Sequence, residues 1–328
     1  MEIPADMSTA GLRHRFVETN NIKMHYVEAG SGQVIVMCHG WPESWYSWRH
    51  QIPAVAAAGF RAIAPDQRGY GQSGAPEQIE SYNILNLVGD IVGLVNSLGV
   101  SDAILVGHDW GAPVAWHSAL LRPDLFRGCA LLSVPYFPRG AVRPSAMWKM
   151  IEGEDKWFYQ HYFQEPGRVE ADFEADLRKT FKKVLYGASG DALLGDRFEH
   201  LFPRDKRPLD MIREPERLPA WLTEADVDFF AAEFKRSGFR GGFNWYRNVE
   251  RNWELTAFLD GAKLRQPSMF AAGEHDVVLR MVPDALALVD AGMVQCRSKT
   301  VIPGAGHWIQ QERPREINDL LIAFLKGL

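Results

Sequence analysis

The 328-residue sequence predicts an α/β protein, a doubly wound and mostly parallel sheet flanked by helices, with a helical lid inserted into it. Three observations lead there. Short apolar runs recur without the alternation of a half-buried strand, helical patterns fall between them, and one long central stretch breaks the rhythm. The length suits this plan, because it exceeds one average domain and can bury a large core.

From the N-terminus, residues 16–19 and 22–28 read as two short strands joined by Asn20-Asn21, a plausible hairpin turn. Residues 33–38 form a continuous β-branched and apolar run, the texture of a strand buried on both faces. That texture returns at 60–64, 103–106, 128–133, 267–272 and 298–302. Cys38, Cys129 and Cys296 are each expected in a buried strand, and their odd number argues against a disulfide framework. A helix is expected over 81–98, where Ile84, Leu87, Val88, Ile91, Val95 and Leu98 recur at three and four, with Ser81 as N-cap and Gly99 as stop. Residues 112–121 are helix-compatible. The last helix starts near Pro314, carries Ile317, Leu320, Leu321 and Phe324 on one face, and ends at Gly327.

The stretch 138–259 lacks β-branched runs and offers helical, aromatic-rich segments at 147–163, 170–186 and 223–236. Its Arg-, Pro- and Gly-rich joins at 139–140, 204–207 and 238–242 read as loops. The expected organisation is therefore a core over 1–137, a lid over 138–259 and the rest of the core over 260–328.

Charge narrows the partners. With 36 Lys and Arg against 41 Asp and Glu the net charge is −5, and the basic residues are scattered, so no nucleic-acid footprint is present and a small-molecule partner is expected. The first thirty residues carry Glu2, Asp6, Arg13, Arg15 and Glu18 with no long apolar stretch, so neither a leader nor a membrane span is expected and the cytoplasm is the default location. Aromatic residues make up 12%, which fits either an aromatic core or an aromatic-lined pocket.

In a doubly wound sheet, ligands bind beyond the carboxyl ends of the strands, so chemistry should reside in the loops that follow them. The run 103–106 leads into Gly107-His108-Asp109-Trp110-Gly111, a nucleophile elbow with Asp109 where the usual pattern has Ser. By itself Asp109 also suits the cap of the following helix. Such an elbow needs oxyanion donors: the N–H of Trp110, and one from the loop His39-Gly40-Trp41-Pro42, where the Trp41 N–H can point at a ligand. His39 reads as structural. A base and an orienting acid should follow in chain order. His307, in Gly304-Ala305-Gly306-His307-Trp308, is the base candidate; for the acid, Asp276, in Gly273-Glu274-His275-Asp276, is chosen over its neighbour Glu274, while a carboxylate after the sixth strand is not available, since none occurs between Asp124 and Glu152. His108, one residue before the nucleophile on a strand, should point to the opposite face.

These motifs, extended by Glu43-Ser44-Trp45-Tyr46-Ser47-Trp48-Arg49 and Asp66-Gln67-Arg68-Gly69-Tyr70-Gly71, resemble the soluble epoxide hydrolases of the α/β-hydrolase fold. The similarity includes the lid, in Tyr159-Gln160-His161-Tyr162-Phe163-Gln164-Glu165-Pro166-Gly167, Ser237-Gly238-Phe239-Arg240-Gly241 and Asn244-Trp245-Tyr246-Arg247-Asn248. It implies an eight-stranded sheet with the lid inserted after the sixth strand. It also implies conversion of an epoxide to a vicinal diol, with Tyr159 and Tyr246 donating to the epoxide oxygen; a phenol, pKa about 10, stays protonated at neutral pH.

An aspartate suits this chemistry. Attack by Ser on an oxirane carbon would leave an ether, whereas attack by Asp109 leaves an ester that His307, oriented by Asp276, can hydrolyse through water. Trp41, Trp110, Phe158 and Trp308, with Trp148 and Trp157 nearby, are expected to line a pocket for a lipophilic epoxide. No metal-ligand spacing and no Gly-x-Gly-x-x-Gly loop occur, so neither metal nor cofactor is expected. The same Asp, His and acid would also serve a haloalkane dehalogenase, with the Trp110 indole holding halide, and a hydrolase-fold receptor without turnover is the remaining alternative. A homodimer is an open expectation.

Overall fold

The computed structural model describes residues 11–328. Glu2 and Asp6, used above in the expectation of no leader, lie outside the described residues. Strands β1 (Arg13–Thr19) and β2 (Ile22–Gly30) pair antiparallel across Asn20 and Asn21, whose φ values of +44° and +62° suit the tight turn that right-twisted strands favour. Then follow β3 (Val34–Cys38), α1 (Gln51–Ala57), β4 (Arg61–Pro65), α2 (Ile84–Ser97), β5 (Ala103–His108), α3 (Gly111–Leu121) and β6 (Phe126–Leu132). After a long insertion the core resumes with β9 (Leu264–Gly273), α11 (Val277–Met281), α12 (Ala285–Gly292), β10 (Met293–Ile302), α13 (Ile309–Glu312) and α14 (Pro314–Lys326).

The strands form one eight-stranded sheet in the order β1-β2-β4-β3-β5-β6-β9-β10, parallel from β4 to β10 and antiparallel on both sides of β2. Every residue of β3 and β5 is buried, as continuous apolar runs require. The chain leaves β3 toward β4 and returns on the other side as β5, so the topology reverses at β3. The register pairs Cys38 with Gly107 there, setting the loops after β3 and β5 side by side.

The insertion between β6 and β9 contains α4 (Pro144–Glu152), β7 (Lys156–Phe158), α5 (Tyr159–Tyr162), α6 (Arg168–Glu174), α7 (Leu177–Gly187), β8 (Leu201–Pro203), α8 (Glu224–Ser237), α9 (Arg240–Arg247) and α10 (Val249–Leu255). Thr223 caps α8 by accepting the Asp226 N–H, and Asp226 returns a bond to the Thr223 N–H, the reciprocal box that starts a helix.

Several local expectations are corrected. Helix α2 is capped by Asn83, which accepts the N–H groups of Leu85 and Asn86, while Ser81 lies in the turn before it. The segment 147–163 is not one helix: α4 stops at Gly153, φ +61°, and Lys156–Phe158 pairs antiparallel with Leu201–Pro203, a long-range partner that local periodicity does not reveal. Asp176 divides 170–186 by capping α7. The glycines at 238–242 do not mark a loop throughout. Gly241 and Gly242 lie inside α9, where a Cβ would come within 2.4 Å of the Gly69 carbonyl or 2.8 Å of the Trp41 ring, so they let the insertion approach the core. Cys38 and Cys129 are buried, but Cys296 is half-buried, because β10 is an edge strand. Among the described residues no helix is long and apolar enough to cross a membrane.

Candidate active site

The elbow after β5 is built by steric necessity. Asp109 holds a left-handed φ of +49°, strained for a residue with a Cβ. Its flanking glycines leave the room this requires: a Cβ on Gly107 would lie 2.2 Å from the Gly111 carbonyl, and one on Gly111 would lie 1.9 Å from that of Cys38. The Asp109 carboxylate does not cap α3; its Oδ1 accepts the Trp41 N–H at 2.7 Å. Trp41-Pro42 is a cis peptide. Trp110 is the N-cap residue of α3, where backbone N–H groups have no partner within the helix. His39 ties down its loop, contacting the Gly40 carbonyl through Nδ1 and accepting the Gln67 N–H through Nε2.

The loops after β9 and β10 meet the elbow from the other side. His307 Nε2 lies 3.3 Å from Asp109 Oδ2, and its Nδ1 lies 3.0 and 3.1 Å from the two oxygens of Asp276. Burial opposes charge on His307, but Asp276 and the hydrogen bond to Asp109 outweigh it and hold the imidazole well above its ordinary value. Burial likewise opposes the Asp276 carboxylate, yet His307 and the Val278 N–H hold its pKa below the usual range. Glu274, the rival acid, instead accepts the Gly304 N–H.

Tyr159 follows β7 directly, its N–H bonded to the His200 carbonyl, and Tyr246 lies in α9. The two rings stand 6.0 Å apart, and both border the cavities that contain Asp109. Gln160 Nε2 donates to the Tyr159 hydroxyl at 2.9 Å, leaving its proton available to a ligand. Burial chiefly, with Asp109 acting in the same direction, raises both phenols, so both stay protonated through neutral pH. The cavity on one side of Asp109, about 260 Å³, is walled by residues such as Trp110, Trp116, Val134 and Phe137. The one on the other side, about 40 Å³, is walled by Trp41, Val184, Phe198, His307 and Trp308.

A family model described as the alpha/beta hydrolase fold matches residues 33–314. The chain is 44% identical over 317 residues to epoxide hydrolase A of Mycobacterium tuberculosis, covering 96% of this chain and 97% of that protein. It is 42% identical to epoxide hydrolase 1 of Siraitia grosvenorii, covering 96% and 98%. Among solved structures, an epoxide hydrolase from an endophytic Streptomyces superposes with a TM-score of 0.93 at 46% identity, covering 97% and 96%. The chain belongs to the epoxide hydrolases of the α/β-hydrolase fold.

As an epoxide hydrolase it is a hydrolase acting on epoxides, and the aromatic residues of its sequence divide between pocket and frame. Trp41, Trp110 and Trp308 border the cavities, as expected. Phe158 does not; its ring packs edge-on against Tyr159 at 4.9 Å. Trp148 stacks on His161, and Trp157 carries the guanidinium of Arg204 over its face, so neither lines the site. The His108 ring lies 5.0 Å from the His307 ring, and it has partners in the site: its Nδ1 contacts Glu43 at 2.7 Å and its Nε2 the His307 carbonyl at 2.7 Å. Burial opposes the Glu43 carboxylate, but His108 holds it down to about 2. Glu43 sits four residues past His39 in a motif already noted; only the contact between loops assigns it a partner.

Proposed function

We propose that this epoxide hydrolase opens a lipophilic epoxide through an alkyl ester on Asp109. One carboxylate oxygen attacks an oxirane carbon, the carbon–oxygen bond of the ring breaks, and its electron pair moves to the ring oxygen, which takes a proton from Tyr159 or Tyr246. The proton that charges His307 at rest passes to the tyrosinate once Asp109 is a neutral ester; the neutral imidazole then removes a proton from water, and the resulting hydroxide attacks the carbonyl carbon of Asp109. The N–H groups of Trp41 and Trp110 stabilise the oxyanion; removal of one such donor costs about 3–4 kcal/mol. Collapse releases the diol as its oxygen takes a proton from His307, and the regenerated Asp109 carboxyl returns its proton to His307. Residues 138–259 act as the lid that brings the two phenols over the nucleophile.

The observation that carries this proposal is the triangle around Asp109, with Trp41 N–H at 2.7 Å from one carboxylate oxygen and His307 Nε2 at 3.3 Å from the other. Two protonated phenols facing the same carboxylate favour an oxygen leaving group over halide, which needs N–H donors and no phenolic proton. Apolar cavity walls favour a lipophilic substrate. The test is His307→Gln exposed to styrene oxide. The expected result is an adduct on Asp109 with a mass gain equal to the intact epoxide; unchanged mass after saturating exposure refutes the ester route.

A further inference from the structure

Hydrolysis of an ester on Asp109 makes a demand on His307 that the resting enzyme hides. Once Asp109 is alkylated, its charged contact with Nε2 weakens, so the ring must stay aimed by other means. Asp276 aims the ring, and the backbone of the loop carries the rest. The His307 N–H donates to the Ala188 carbonyl at 2.8 Å, and its own carbonyl accepts from Ser133 Oγ at 2.6 Å and contacts His108 Nε2.

The amides on either side of His307 converge on one side chain. Glu312 Oε2 accepts the Gly306 N–H at 2.8 Å and Oε1 accepts the Trp308 N–H at 2.9 Å. Oε2 also accepts the Gly190 N–H at 2.9 Å, from the insertion just after α7. Glu312 ends the single turn α13, and its side chain reaches back toward the start of that turn, the direction in which helical side chains lean. Gly190 and Gly306 are themselves in backbone contact: a Cβ on Gly306 would lie 2.3 Å from the Gly190 nitrogen.

Three convergent donors call for a group that only accepts, with two oxygens to share among them. Glutamine would turn its NH₂ toward at least one N–H. Burial, the largest influence, lifts the Glu312 pKa to about 7 against the pull of the three N–H groups, with Asp191 adding a smaller push upward.

We propose that Glu312 is a positioning residue for the hydrolysis step, clamping the amides on both sides of His307 to the lid amide of Gly190. This rests on His307 being the base. Without the clamp the ring is free to tilt away from the water it activates, while alkylation, which relies on Asp109 and the phenols, proceeds.

Single-turnover kinetics with styrene oxide test it. Glu312→Gln is expected to slow hydrolysis of the alkyl-enzyme by about tenfold or more while alkylation stays within about twofold, so adduct on Asp109 accumulates. Equal slowing of both steps, or of neither, overturns the proposal. If Glu312→Gln fails to fold, Glu312→Asp keeps both acceptor oxygens but withdraws them by one methylene, and the same selective loss is expected. His307→Gln measured alongside separates the two ideas. An adduct in His307→Gln but none in the Glu312 variants removes the clamp alone, whereas no adduct in His307→Gln removes the base and the clamp with it.

Discussion

His307 Nε2 and Asp109 Oδ2 stand 3.3 Å apart, within ion-pairing reach of a charged imidazole. On the proposed route alkylation turns Asp109 into a neutral ester. Two of the influences that raise His307, the hydrogen bond and the charge of Asp109, are then lost, whereas burial, which lowers it, remains. The imidazole should therefore give up its proton when the ester forms. We expect the hydrolysis rate to rise with pH around a lower apparent pKa than that of His307 in the free enzyme. Nitrogen NMR titration of the free enzyme against the pH profile of the single-turnover hydrolysis step measures the difference, and coincident values would refute it. For stability the sign is that of a raised histidine: its contribution is complete below pH 6.5 and disappears as pH rises through the folded value.

The two phenols should act on one half-reaction. Replacing both Tyr159 and Tyr246 by Phe is expected to slow alkylation by about 10²–10⁴-fold, the usual range for general acid catalysis, and to affect ester hydrolysis far less. Stopped-flow fluorescence separates the steps. Equal losses in both would remove the tyrosines from the proton-donor role.

Gly40 is required by close approach. A Cβ there would lie 2.3 Å from Asp109 Oδ1 and 2.4 Å from its Cβ. Gly40→Ala should displace the carboxylate from the Trp41 N–H, lower stability by about 1–3 kcal/mol and remove most alkylation activity. Urea denaturation and burst-phase mass analysis check the two effects. Full activity in the alanine variant would show that the loop relaxes without cost to the nucleophile.

Glu233 on α8 carries a buried oxygen without a hydrogen-bond partner, and its other oxygen lies 3.3 Å from Arg236. Burial first, then Asp66, raises its carboxyl to about 7. An acid raised above its unfolded value loses stability as pH climbs from 4.5 through 7, because the folded state must release a proton it holds more tightly. Glu233→Gln should therefore gain on the parent as pH rises, by up to about 3 kcal/mol at pH 8 relative to pH 4. Denaturation midpoints of both proteins at the two pH values decide it; a pH-independent difference would contradict it.

Much of this was legible in the chain. The strands were readable because a parallel sheet buries both faces, so β3, β5 and the middle of β9 are continuous apolar runs. The Gly107–Gly111 elbow stood out because a tight strand-to-helix turn restricts its flanks to glycine. The insertion was the least legible part of the chain. β7 and β8 are three residues each and paired across more than forty residues, and glycines inside α9 look like a loop until Gly69 is seen against them.

The division follows from what is local. The sequence alone determined the class of fold, the elbow and the chain order of Asp109, Asp276 and His307, because backbone geometry and strand burial impose residue types on neighbouring positions. Only the tertiary structure decided which loops meet. It brought Tyr246 to within 6.0 Å of Tyr159, packed Phe158 against Tyr159 instead of on the cavity wall, joined Glu43 to His108, and brought the distant Gly190 amide to Glu312 beside those of Gly306 and Trp308. The long-range contacts among these join positions 65 to 122 residues apart, where no periodicity or spacing constrains the chain.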